Sequence, residues 1–144
     1  MPELSDTAGY IVLAEDNPAD VYLVRNALTG QEIGCDLKVF SDGEKVVQFF
    51  AELDAMPSLP CPRLLLLDLH LPRRDGKAVL EHLRGSERCS RTPVLLLTSA
   101  ESAQQMDTAA ADGPLSYFQK PSSIQQFMML GQVVKDLLNR SSVS

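Results

Sequence analysis

The sequence is poor in cysteine, has no excess of basic charge and contains no long hydrophobic run. Its three cysteines, Cys35, Cys61 and Cys89, are odd in number and lack metal-like spacing. They read as reduced cytosolic thiols. Thirteen Lys+Arg against nineteen Asp+Glu give a formal charge of −6. That balance excludes a general nucleic-acid binder, which needs a basic face. It leaves room for a protein partner with a basic patch, and it agrees with a site made of carboxylates. The longest apolar runs, Leu64-Leu65-Leu66-Leu67 and Val94-Leu95-Leu96-Leu97, are too short to span a bilayer. No membrane association is expected. The start, Met1-Pro2-Glu3-Leu4-Ser5-Asp6, has no basic segment followed by an apolar one, so no secretory signal is read and a cytoplasmic location is expected. Internal repeats and low-complexity segments are also missing. The 144 residues suit one domain over 1–144, with a core at about 9–139 and short tails.

Short apolar runs alternate with longer amphipathic stretches. Tyr10-Ile11-Val12-Leu13-Ala14, Leu37-Lys38-Val39-Phe40, the two leucine-rich runs and Tyr117-Phe118 are the runs. Continuous rather than alternating apolar character fits strands buried on both faces, as in a parallel sheet. For the leucine runs, brevity and flanking prolines decide for strand. Asn17 caps a first helix with Pro18 at its first position, and Val21, Val24 and Leu28 share one face. Ser41 or Asp42 caps a second, with Val46, Val47, Phe50 and Leu53 inward. A third runs from Gly76 to near Gly85, with Val79, Leu80 and Leu83 inward. A fourth spans about 102–111. The last starts near Ser122, with Ile124, Phe127, Met128, Val133, Val134 and Leu137 as its stripe. Residues 53–62, with Pro57, Pro60 and Pro62, read as a long loop. Five repeats of strand then helix predict an α/β fold, a parallel sheet with helices on both faces and right-handed crossovers.

In open sheets of this kind the site lies beyond the carboxyl ends of the strands, where strand order switches. Four strand ends carry suitable residues: Glu15-Asp16, Asp68, Thr98-Ser99 and Lys120-Pro121. Three carboxylates in one crevice repel one another unless a cation arrives. A hard divalent ion with oxygen ligands, Mg²⁺ or Mn²⁺, resolves the repulsion. A lysine and a threonine hydroxyl beside it suit a transferring phosphoryl group attacked by a carboxylate. Each residue alone has a plainer reading. Glu15 and Asp16 can cap the first helix, Asp68 can cap a loop, Thr98 can be an ordinary strand-end residue, and Lys120 can be a surface lysine. Their joint occurrence on different strands, in order, favours one site.

Glu15-Asp16-Asn17-Pro18, Leu65-Leu66-Leu67-Asp68-Leu69-His70-Leu71-Pro72, Asp75-Gly76, Pro93-Val94-Leu95-Leu96-Leu97-Thr98 and Tyr117-Phe118-Gln119-Lys120-Pro121 together resemble the receiver domain of two-component response regulators over nearly the whole chain. The resemblance implies a flavodoxin-like, doubly wound five-stranded sheet of order 2-1-3-4-5 with five helices. It implies Asp68 as phosphoacceptor, with Glu15 and Asp16 holding Mg²⁺ and the backbone carbonyl of His70 as a further metal ligand. Thr98 would meet the phosphoryl group, Lys120 would bind it, and Tyr117 would report the state by turning inward or outward. It implies a sensor histidine kinase as donor and a signalling role, with no catalysis beyond the protein's own phosphorylation and dephosphorylation. His82, on the outer face of the third helix, has no role. Pro114 and Leu115 stand where the family has smaller or more polar residues.

The Asn17-Pro18-Ala19-Asp20 form of the first loop, the long 53–62 loop and the missing output domain are similar to receivers paired with phytochrome-type kinases. Some of that type form homodimers. Output would then pass to a separate protein or a phosphotransfer partner. The competing readings are a receiver-like module that binds partners without phosphorylation, and a small phosphatase with an aspartyl nucleophile. The phosphatase usually needs a second acid two residues after the nucleophile, where this chain has His70. A flavin carrier is disfavoured because no Ser/Thr/Gly-rich phosphate loop follows the first strand.

Overall fold

The computed structural model describes residues 9–98 and 115–143, with side chains as far as residue 139. Five strands, β1 (Tyr10–Ala14), β2 (Asp36–Phe40), β3 (Leu64–Asp68), β4 (Val94–Thr98) and β5 (Leu115–Gln119), form one sheet. All four pairings are parallel, and the order is β2-β1-β3-β4-β5, as expected. The helices among the described residues are α1 (Pro18–Gly30), α2 (Gly43–Ala55), α3 (Gly76–Arg84), α4 (Ile124–Phe127) and α5 (Met129–Val143). The helix expected over 102–111, like Ser99 and Pro114, lies outside the described residues.

The central strands are apolar throughout because both faces of the sheet are covered. Val12, Leu65, Leu67 and Leu96 point toward α2 and α3, where Phe50, Val79 and Leu83 close one core. Their neighbours Ile11, Leu13, Leu64, Leu66, Leu95 and Leu97 point toward α1, α4 and α5, where Val24, Phe127, Leu130 and Val134 close the other. A residue-by-residue alternation thus reads in the sequence as an unbroken run.

The caps follow the sequence. The side chains of Asn17, Asp42 and Asp75 accept from the N–H groups of Ala19, Lys45 and Ala78 at 2.9, 2.8 and 3.0 Å. Each fixes a helix start directly after a strand end or site loop. The final helix departs from expectation. Ser123 is its cap, the helix breaks at Met128, and Ile124 is exposed. Phe127, Leu130, Val134 and Leu138 are buried in the core, and Met128, Val133 and Leu137 pack against it, so the expected stripe holds except for Ile124 and gains Leu130 and Leu138. The second helix runs on to Ala55, so the proline-rich loop starts later than residue 53.

The cysteines require a correction. Cys61 and Cys89 are not separate thiols: they form a disulfide across a sequence separation of 28, with Cα atoms 5.7 Å apart, and Cys35 is free. Only the fold brings the two together, one before β3 and the other after α3. The same junction is tied in two further ways. Asp54 accepts from the Ser86 hydroxyl at 2.6 Å, and Arg88 donates to the carbonyls of Leu53, Met56 and Leu59.

Candidate functional site

The strand register builds the site. Ala14 lies beside Leu67 across the β1–β3 pair, so Glu15 and Asp68 emerge side by side at the carboxyl edge. Thr98 ends β4, and its carbonyl accepts from the Lys120 N–H at 2.7 Å, which draws the start of the β5–α4 loop over the same edge. Between β1 and β3 the chain order reverses, which is the switch point where an open α/β sheet leaves a crevice.

Glu15 and Asp68 are buried, Asp16 is exposed, and each of the three brings one carboxylate oxygen within 4.8 Å of the others. Among the described residues this is the group that could hold a metal ion. Glu15 carries the electrostatic conflict among these groups. Burial pushes its carboxyl up to about 7; the Lys120 ammonium opposes the rise, and the Asp68 carboxylate adds to it. Asp68 is fixed from both sides. Its Oδ1 accepts from the His70 N–H at 3.0 Å, and its Oδ2 from Lys120 Nζ at 3.4 Å. This donor set, all oxygen and mostly carboxylate, suits a hard divalent ion.

Lys120 is the second centre of the site. Its ammonium donates to Glu15 Oε1 at 2.8 Å, Asp20 Oδ2 at 2.9 Å and Asp68 Oδ2 at 3.4 Å. Burial works against the charge, yet the hydrogen bonds to Glu15 and Asp20 hold it above the usual lysine range. Asp20 is the site residue that the strand-end pattern misses. It lies one turn into α1, two residues past the Pro18 that starts the helix, and only the folded geometry aims it at Lys120. The signal was its place in the Asn17-Pro18-Ala19-Asp20 motif.

The loop after Asp68 is tightly held. Gly76 donates to the Leu69 carbonyl at 2.9 Å, and a Cβ at Gly76 would lie 2.7 Å from Leu69 Cα and 2.8 Å from the Asp68 carbonyl oxygen. No side chain fits between α3 and the end of β3. Arg73 sits in the left-handed region at φ 72, while the Arg74 N–H reaches back to the Pro72 carbonyl at 2.8 Å. The Pro72 carbonyl also accepts from the Gly43 N–H, joining this loop to the start of α2. Glu15, Asp16, Asp68 and Lys120 lie together at the carboxyl edge; Thr98 is buried at the end of β4 and is joined to them through its carbonyl's bond to the Lys120 N–H, and Tyr117 is half exposed on β5.

The model of the response regulator receiver domain family matches residues 11–130. Response regulator Rcp1 of Synechocystis sp. is 34% identical over 100 residues, covering 69% of this chain and 68% of that protein. The probable methanogenesis regulatory protein FilR2 of Methanothrix harundinacea is 30% identical over 126 residues, covering 88% and 81%. Among solved structures, the phosphorylated cyanobacterial phytochrome response regulator RcpA superposes with a TM-score of 0.76 at 23% identity, covering 93% of this chain and 96% of that one. At that identity the likeness is one of fold. The Mn²⁺-bound form of Rcp1 gives a TM-score of 0.73 at 27% identity, covering 88% and 91%.

Proposed function

This chain belongs to the response regulator receiver family, and we propose that it accepts a phosphoryl group on Asp68 from a histidine kinase and signals through the changed surface. The observation that carries this reading is the convergence of Glu15, Asp20 and Asp68 on the Lys120 ammonium, with Glu15 and Asp68 joined by Asp16 in a trio of carboxylates that could hold a metal ion.

Asp68 is the nucleophile. Its carboxylate attacks phosphorus, the P–N bond to the donor imidazole breaks, and the histidine leaves with the bonding pair. Glu15, Asp16 and Asp68, with the His70 carbonyl, would hold Mg²⁺ or Mn²⁺, which would supply positive charge to offset the negative charge of a phosphoryl group. Lys120 pairs with a phosphoryl oxygen, and the Thr98 hydroxyl donates to another. Movement of Thr98 makes room for Tyr117 to turn inward, which biases two pre-existing conformations of the β4–β5 side. The only chemistry is gain and loss of the protein's own phosphoryl group.

The likeness to the bacteriophytochrome response regulator RtBRR, at 26% identity with a TM-score of 0.71, supports a phytochrome-type kinase as donor, and the Mn²⁺-bound Rcp1 supports a divalent cofactor. We read residues 1–144 as one receiver domain, with output through a separate protein or a phosphotransfer partner. The site is completed within one chain, so this reading needs no homodimer. A cytoplasmic setting is proposed from the receiver family to which the chain belongs; none of the described helices is long and apolar enough to cross a membrane. The Cys61–Cys89 bond is the feature that a reducing compartment would oppose.

Intact-protein mass after incubation with phosphoramidate and Mg²⁺ tests the proposal. The parent should gain one phosphoryl group, and neither the EDTA-treated protein nor Asp68→Asn should. Equal labelling of Asp68→Asn would remove Asp68 from the role.

A further inference from the structure

We propose that Asp20 is a positioning residue for phosphoryl transfer: it holds the Lys120 ammonium away from Asp68, leaving the nucleophile weakly paired. The inference rests on the reading of Asp68 as phosphoacceptor and assigns a role to the one site carboxylate which that reading leaves unused.

An ammonium has three N–H donors, and Lys120 aims them at three carboxylates. Two contacts are short, 2.8 Å to Glu15 and 2.9 Å to Asp20. Both lie in the range of charge-assisted hydrogen bonds. The third, 3.4 Å to Asp68, is long and correspondingly weak. The lysine is therefore committed to its flanking partners and only loosely to the residue that must react. Asp20 stands apart from the metal-holding trio of Glu15, Asp16 and Asp68, so its charge serves the lysine. The Asp20 and Lys120 side chains are 21% and 19% exposed, so their pairing escapes most of the solvent screening that weakens surface ion pairs.

The arrangement has two consequences. Before transfer, a carboxylate tightly paired with an ammonium is a poor nucleophile, and Asp20 prevents that pairing. After transfer, the loosely committed N–H is the one free to turn to a phosphoryl oxygen while the other two keep the ammonium in place. An alternative role exists, because an acid in the first turn of α1 also complements the helix dipole. That role would act on helix stability and would not depend on Lys120.

The experiment compares the parent, Asp20→Asn, Lys120→Ala and the double variant. It reads the rate of phosphoryl gain at saturating phosphoramidate, the Mg²⁺ dissociation constant by titration, and the thermal midpoint. Asp20→Asn should label about tenfold more slowly, the factor that accompanies about 1.4 kcal/mol of barrier. Its Mg²⁺ dissociation constant should change by less than about threefold, since one remote charge is lost and no ligand. The losses should not add: in the Lys120→Ala background, Asp20→Asn should slow labelling by less than about twofold. An equal slowing in both backgrounds, an unchanged rate in the Asp20→Asn variant, or a collapse of Mg²⁺ binding would overturn the inference. A parent that takes no phosphoryl group would overturn the phosphoacceptor reading itself, whereas a labelled parent with an indifferent Asp20→Asn overturns only the role of Asp20.

Discussion

Among the described residues, Glu15 carries a sharp electrostatic conflict: a buried carboxylate beside a second one, relieved in part by one shared ammonium. Its carboxyl is raised from 4.5 to about 7, chiefly by burial. Without metal the folded state therefore holds a proton that the unfolded chain has released. Stability from this group is fully present below 4.5 and is lost as pH rises toward about 7. A divalent ion needs the ionised form and competes with that proton. Apparent Mg²⁺ affinity should rise by up to about tenfold per unit of pH below 7 and level off above it. Glu15→Gln should bind Mg²⁺ more weakly and lose most of this slope. A titration series between pH 5.5 and 8.5 checks both, and a flat profile in the parent would count against the site. Lys120, whose ammonium is also held above its usual range, carries the same sign at alkaline pH: its contribution is fully present below 10.5 and is lost progressively above it. Lys120→Ala should retain some labelling and lose the conformational response, read as tyrosine fluorescence with and without phosphodonor. A full response in that variant would remove Lys120 from the switch.

At the scale of elements, the loop after β3 stores backbone strain that can be measured. Arg73 occupies the left-handed region, at a cost of about 1–3 kcal/mol for a residue with a Cβ. Its ion pair with Asp42, at 3.3 Å, has an arginine side chain 71% exposed and contributes less than about 1 kcal/mol. Strain relief should win, so Arg73→Gly is expected to raise the thermal midpoint; a fall would mean that the ion pair outweighs the strain. Gly76→Ala should have the reverse effect, costing about 2–4 kcal/mol because its Cβ meets the backbone of Asp68 and Leu69. Reduction of Cys61–Cys89 should cost about 3–4 kcal/mol by releasing a closed loop across a separation of 28, read as a lower urea midpoint in reductant. The elements differ in how far the sequence reveals them. Strands and caps are legible because their signals are local: an apolar run, an Asn-Pro, an Asp before a helix. The Asp20–Lys120 pair and the Cys61–Cys89 bond are not, since each depends on which segments the fold places side by side. Leu130 and Leu138 join the buried face of the last helix at ordinary helical spacing from Phe127 and Val134, and the expected stripe omitted them.

For the whole molecule, sheet order decides where chemistry can occur. With β1 and β3 central, their two terminal carboxylates are brought together and covered by α1 on one side and the β5–α4 loop on the other. Alternation of strand and helix predicts the parallel sheet, while the order 2-1-3-4-5 came with the family resemblance and not from periodicity. Binding at this junction should stabilise the fold as a unit. With Mg²⁺ at 100 times its dissociation constant the gain is about 2.7 kcal/mol, visible as a higher thermal midpoint that EDTA reverses. The central claim is that the phosphoryl group lands on Asp68, and trapping the acyl phosphate tests it most directly. Phosphorylated protein is treated with borohydride, which reduces an aspartyl phosphate to homoserine, and is then digested and sequenced by mass. The expected result is homoserine at position 68 alone, dependent on Mg²⁺ and on phosphodonor. Homoserine at Glu15, Asp16 or Asp20 positions is chemically excluded or misplaced by this account, so a reduced acyl phosphate at any carboxylate other than Asp68, or none in a protein that carries the label, would contradict it.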